Sequence, residues 1–312
     1  MGNTLGRIGI VPGMACLSAF FVASVCAQPA PGIPSVVAPG TQPELVSEMF
    51  DNTEGPLGAP DGTLYFSDTN ASLTYHLDLS GKITVARFNT NRGNGIAFTR
   101  DDDMLWAEGD GPRISTLNKM NGGYRNLLPG FRLFQPNDLI VDSKGGIYFT
   151  DPGPRPVVPG LKVYVYYIPP GANKPIVIDD SVPRPNGVTL SPDGRTLYVD
   201  NTIGTGVFRY DVQPDGTVKN RRVFAELHDI KPGEEGFADG MGMDRDGRLY
   251  VTSLTGIQVF DKAGKYLGTI KVPRQPSNVA FSGPDKKTLY ITARQGLYRL
   301  RMLSQGPDRP GK

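Results

Sequence analysis

The chain of 312 residues has only two cysteines and two histidines. Cys16 and Cys26 both fall before residue 28, so the remainder has no thiol to form a disulfide, attack a substrate or bind a metal. His76 and His228 are far apart and lack ligand spacing, which argues against an imidazole-based zinc or copper centre. Two histidines and no G-x-S-x-G motif leave little room for serine-hydrolase chemistry. No phosphate-binding or dinucleotide glycine motif follows a strand and opens a helix. Charge of one sign is also lacking: 33 Lys and Arg stand against 31 Asp and Glu. That balance gives no electrostatic footing for nucleic acid or an anionic membrane surface. No segment carries a long apolar pattern of period 3.6, so almost no helix is expected.

The N-terminus reads as an export signal. Arg7 is the only charge before Glu44, and a mostly apolar run covers residues 8–25, broken at Pro12-Gly13. Val25-Cys26-Ala27 then fits a small-residue cleavage site. A signal peptide over 1–27 predicts a periplasmic or secreted protein with no membrane attachment after cleavage; an uncleaved anchor is the alternative, since the apolar length is near the lower limit for a span. Residues 28–43 hold five prolines and no periodic pattern, and read as an extended tether. A propeller domain over 44–303 and a flexible tail over 304–312 complete the division.

What the chain does have is turns, with 39 glycines and 28 prolines, and an internal repeat. Six segments begin at Glu54, Asn94, Asn137, Asn186, Asp239 and Asn278. Seven residues after each start lies a turn, among them Asp61-Gly62, Asp193-Gly194 and Asp246-Gly247. Eleven or twelve residues after each start comes one aromatic behind an aliphatic residue: Tyr65, Trp106, Tyr148, Tyr198, Tyr250 and Tyr290. Copies are spaced 39 to 53 residues apart, and each reads as four short strands rich in Val, Ile, Tyr and Phe. A period near 45 residues with four strands per unit means an all-β, six-bladed β-propeller. The last copy has three strands; residues 44–50 offer the fourth, which would close the ring and leave no open edge.

In a propeller the first strand of each blade lines the central channel. The six register residues therefore converge at one mouth: Glu54, Asn94, Asn137, Asn186, Asp239 and Asn278. All carry a side-chain oxygen, and two can be charged. Hard divalent cations take six to eight oxygen ligands, so the set suits one divalent ion, Ca²⁺ first, with Zn²⁺, Mg²⁺ or Mn²⁺ able to substitute. Asn-Gly at 94 and 186 could also mark hairpin turns, but the same register holds Asn137-Asp138 and Asn278-Val279, which lack that signal. The ends of the second strands, including Asp68, Glu108, Asp151, Asp200 and Thr252, are expected to form the pocket wall. Asn94, Asn137, Glu108 and Asp151 are the expected substrate contacts. Loops 152–161 and 227–238 are candidate lids, with Arg155 and His228 as further contacts.

Several motifs occur in order: Thr53-Glu54-Gly55-Pro56, Gln135-Pro136-Asn137-Asp138, Ile147-Tyr148-Phe149-Thr150-Asp151-Pro152, Pro185-Asn186-Gly187-Val188 and Ala238-Asp239-Gly240-Met241. In these the chain resembles the family of senescence marker protein, gluconolactonase and luciferin-regenerating enzyme, over residues 45–302. The resemblance implies a six-bladed propeller with one divalent metal at the channel mouth. It implies Glu54, Asn186 and Asp239 as direct ligands, Asn137 as a further ligand or substrate-holding residue, and Asp239 as general base. It places Gln135 where the animal branch has a sugar-holding Arg, and Leu57 where the family often has Trp. The activity implied is metal-dependent opening of a lactone, a small-molecule substrate. Hydrolysis of an organophosphate-type ester at the same metal, and a non-catalytic binding propeller with a structural metal, are the alternatives.

Overall fold

Short runs of β-branched and aromatic residues, each cut by an Asp-Gly or similar turn, pair most readily with their neighbours in sequence. The computed structural model, which describes residues 1–2, 30–118, 120 and 122–308, shows that outcome. Six four-stranded antiparallel sheets follow one another along the chain, and no described residue is helical. The predicted signal segment lies outside the described residues, apart from its first two.

The sheets are the blades of a six-bladed β-propeller. Their innermost strands are Thr53–Gly58, Gly93–Phe98, Leu139–Val141, Pro185–Leu190, Met241–Met243 and Asn278–Ser282. Each contacts the next around the ring, and the last contacts the first. Closure works as the three-stranded last repeat predicted. Glu44–Ser47 pairs antiparallel with Gly296–Arg301, Glu44 opposite Arg299 and Leu45 opposite Tyr298. Phe50, just beyond, is buried against Phe66 and Tyr75 of the first blade.

The core lies between blades. Ala97, Leu105 and Ala107 of the second blade pack on Leu139, Ile147 and Phe149 of the third, and equivalent clusters fill the other seams. Leu57, which stands where the family often has Trp, is fully buried with Ile96 and Trp106 between blades one and two.

Among the described residues, 30–43 and 304–308, which flank the propeller, are docked on it. Ile33, Val36 and Val37 are buried against Tyr250, Ile257, Ile270 and Leu300 at the seam of the last two blades. A tight bridge between Ile33 and Val37 shapes this strap, and the Leu303 amide donates to the Val36 carbonyl at 2.8 Å. An extended tether does not describe residues 30–43: burying three aliphatic side chains contributes about 1.5–3 kcal/mol each to the docked form. The described part of the tail, residues 304–308, departs from expectation through polar contacts. Ser304 is buried and hydrogen-bonded to the Tyr250 hydroxyl at 2.8 Å, and the Arg245 amide donates to the Gln305 carbonyl.

Candidate active site

Five of the six register residues meet at the channel mouth. Glu54, Asn94, Asn137, Asn186 and Asp239 line a cavity of about 320 Å³, within the range of small-molecule sites. The backbone explains the convergence. A Cβ on Gly187 would stand 2.3 Å from the Asp239 carbonyl, and one on Gly240 would stand 1.9 Å from the Asn278 side chain. At these two positions only glycine lets one blade press against the next. The glycine after Asn186 is thus a close-approach residue and not a hairpin signal.

Asn278 is the exception. It lies buried beneath Gly240 and its Oδ1 accepts a hydrogen bond from the Val279 amide at 2.8 Å. It packs the ring and does not reach the cavity.

The second strands contribute supports where a pocket wall was expected. Ser67 Oγ donates to the Asn94 carbonyl at 2.7 Å, Thr150 Oγ1 to the Asn186 carbonyl at 2.5 Å, and Thr252 Oγ1 to the Ser277 carbonyl at 3.1 Å. The first two bonds tie a blade to the register residue of the following one, and the third to the residue before Asn278. Two expected substrate contacts belong to this supporting layer. Asp151 is buried and accepts the Phe134 and Gln135 amides at 2.9 and 2.6 Å, which anchors the loop that presents Asn137. Glu108 is fully buried away from the cavity. It accepts from Arg87 (2.8 Å), Arg113 (2.6 Å), Asn91 (2.7 Å), Ser115 (2.6 Å) and the Tyr124 hydroxyl. Burial raises its carboxyl, but these donors win and hold it below the ordinary value.

Asp239 is the acid at the centre. Its carboxyl faces the cavity yet is closely surrounded by protein, and burial pushes it up to about 6 against the pull of Arg294, an Asn186 hydrogen bond, Arg155 and Arg184. Asp200 stands behind it. One oxygen of Asp200 accepts the Gly187 amide at 3.0 Å and the other is buried without a partner. Burial, reinforced by the charge of Asp239, raises the Asp200 carboxyl well above its ordinary value. Glu54 Oε2 accepts from the Gly55 amide at 3.1 Å. Asn186 donates to Thr202 Oγ1 at 3.0 Å, while its own Oδ1, like that of Asn94, is buried with no hydrogen-bond partner. Buried acceptors left in that state are costly and call for a ligand.

Among the described residues, no group of three or more His, Cys, Asp and Glu side chains is gathered as a metal cage. The donors at the mouth are two carboxylates and neutral amides, all oxygen. That chemistry fits a hard cation and not a soft one.

Arginines are the feature that sequence reasoning mostly missed. Arg92, Arg155, Arg184 and Arg294 all line the cavity. Arg155 sits on the expected lid loop. Buried Arg184 donates to the carbonyls of Pro152, Gly153 and Pro154 at 3.1–3.3 Å and so pins that loop down. Arg92 and Arg184 stand two residues before Asn94 and Asn186, a proximity to the register that could have flagged them. His228 does not reach the site; its ring stacks on Tyr266 at 4.0 Å.

The SMP-30/gluconolactonase/LRE-like region is matched over residues 52–295. A gluconolactonase of Zymomonas mobilis is 26% identical, over 88% of this chain and 85% of its own length. The crystal structure of a gluconolactonase from Xanthomonas campestris superposes with a TM-score of 0.77 at 30% identity, covering 88% of this chain and 95% of that one. A calcium-binding regucalcin from Agrobacterium tumefaciens superposes with a TM-score of 0.73 at 22% identity, over 85% of this chain and 95% of that one, which is a likeness of fold.

Proposed function

The chain belongs to the SMP-30/gluconolactonase/LRE-like family, and from that premise we propose that it is a divalent-metal-dependent lactone hydrolase acting at the channel mouth. Its relatives include gluconolactonases at modest identity, which supports lactone hydrolysis. The observation that carries the metal and the site is the pair of unpartnered amide oxygens, on Asn94 and Asn186, beside the raised carboxyl of Asp239.

Glu54, Asn186 and Asp239 would hold the ion, with Asn137 as a further oxygen donor. Ca²⁺ suits two carboxylates and neutral amides best, and Mg²⁺, Mn²⁺ or Zn²⁺ are the substitutes to test. When bound, the ion supplies Lewis-acid polarisation of an ester carbonyl and offsets the charge that develops on its oxygen.

The protein's own residues supply the rest. Asp239 would be ionised when it holds the ion, and it is the carboxylate at the mouth placed to take a proton from water. The water oxygen bonds to the lactone carbonyl carbon as that proton passes to a carboxylate oxygen of Asp239. The bond between that carbon and the ring oxygen then breaks. The proton held on Asp239 passes to the departing ring oxygen, which leaves a hydroxy acid and restores the carboxylate. Arg294 lowers the cost of ionising Asp239, and the Asn186 amide holds its orientation.

The test is hydrolysis of five- and six-membered lactones before and after chelation. Turnover should vanish with chelator and return with added Ca²⁺. Unchanged turnover in chelator would show that the metal has no part in the reaction.

A further inference from the structure

The cavity has more positive charge than a neutral lactone can use. Arg92, Arg155, Arg184 and Arg294 share it with only two carboxylates, Glu54 and Asp239. Four cations against two anions leave a local excess of +2, and any bound cation enlarges it. Like charges gathered around one cavity repel one another and make it attractive to an anion.

The partners available do not. Arg184 is engaged by three backbone carbonyls. Arg155 pairs with Glu235 at 3.4 Å, with both side chains exposed to solvent, a kind of pair that contributes little. Arg92 donates to the neutral Asn70 amide at 3.2 Å, and Arg294 to the neutral Gln275 amide at 2.8 Å. Among the described residues neither forms an ion pair. Each guanidinium therefore keeps donors and charge for a ligand, and its fork matches carboxylate and phosphate oxygens. Ring opening itself produces one carboxylate. A surplus carried by several arginines, present before the bond breaks, points to an anion already on the substrate.

We propose that the substrate is a lactone bearing a separate anionic substituent, a carboxylate or a phosphate, held by Arg92 and Arg294. The inference rests on the lactone-hydrolase reading and narrows its substrate class. Arg92 stands beside Asn94 on the second blade and Arg294 joins two strands of the sixth, so the substituent would be gripped on the side of the mouth opposite the Arg184-pinned loop.

Matched pairs test this on the Ca²⁺-loaded protein. One pair is γ-butyrolactone with a γ-carboxylate against its carboxamide; the other is glucono-δ-lactone 6-phosphate against glucono-δ-lactone. The charged member of at least one pair should be preferred at least about tenfold in kcat/KM, mainly through KM, with the gap narrowing as salt is added. Which pair shows the preference identifies the anion. Arg92→Gln and Arg294→Gln should each cut the preference severalfold. Calorimetric binding of 2-hydroxyglutarate, the ring-opened diacid, should weaken in the same variants, whose melting curves confirm folding. Equal rates within both pairs, unmoved by Arg294→Gln, overturn the anionic substrate and leave a lactone hydrolase standing. Hydrolysis of none of the four compounds counts against both readings.

Discussion

The carbonyl of Asp239 lies 2.3 Å from the point where a Cβ on Gly187 would stand. This contact between neighbouring blades sets how closely Asn186 and Asp239 approach across the mouth. Gly187→Ala should force blades four and five apart. Overpacking of this kind costs about 1–3 kcal/mol, and the loss should appear in denaturant unfolding together with weakened metal binding. Wild-type stability and metal affinity in the variant would mean that the contact does not position the site.

Glu108 offers a second test, because its buried position separates two roles. Removing it leaves largely buried Arg87, and partly exposed Arg113, without their shared carboxylate. Breaking a buried pair in that way costs about 3–5 kcal/mol. Glu108→Ala should therefore unfold at much lower denaturant, while the folded fraction keeps its KM. A raised KM without loss of stability would put Glu108 back at the substrate.

These two residues also show what a sequence makes visible. The six blades were legible because a turn and an aromatic recur at fixed distances from each register residue. The strand that closes the ring was legible because the last repeat is one strand short. Glu54, Asn94, Asn137, Asn186 and Asp239 followed from the same register. Glu108 and Asp151 did not, because strand ends can point to the cavity or into the supporting layer with the same sequence. The strap at Ile33, Val36 and Val37 makes its contacts one residue at a time, with no period to detect. Arg294 sits in a turn between strands, where spacing says nothing of direction.

Asp239 gives a pH prediction. In the metal-free protein its carboxyl titrates at about 6, above the ordinary unfolded value of about 3.9. Between those limits the native state keeps a proton that the unfolded chain has released. The contribution of this group to stability is therefore full below about pH 4 and declines as pH rises to about 6. In chelator, the wild type should lose melting temperature across that window relative to Asp239→Asn. Parallel pH profiles for the two proteins would contradict it.

Ring closure predicts the effect of truncation. Deleting residues 43–50 removes the strand paired to Gly296–Arg301 and the buried Phe50. An open strand edge promotes association, so the truncated protein should aggregate in light scattering. A monomer with unchanged melting would show that the strand is dispensable.

The most direct test of the proposed chemistry compares Asp239→Asn with Asn278→Ala, measuring bound divalent metal and lactone hydrolysis in each. Asn at 239 keeps the shape and an oxygen donor but cannot take a proton. It should retain metal with reduced affinity and lose about 10²–10⁴-fold in turnover, the usual contribution of a general base. Asn278→Ala should lower the melting temperature while retaining metal and most of the turnover, since Asn278 is buried under Gly240 and outside the cavity. Metal binding and hydrolysis at the wild-type rate in Asp239→Asn would contradict the mechanism.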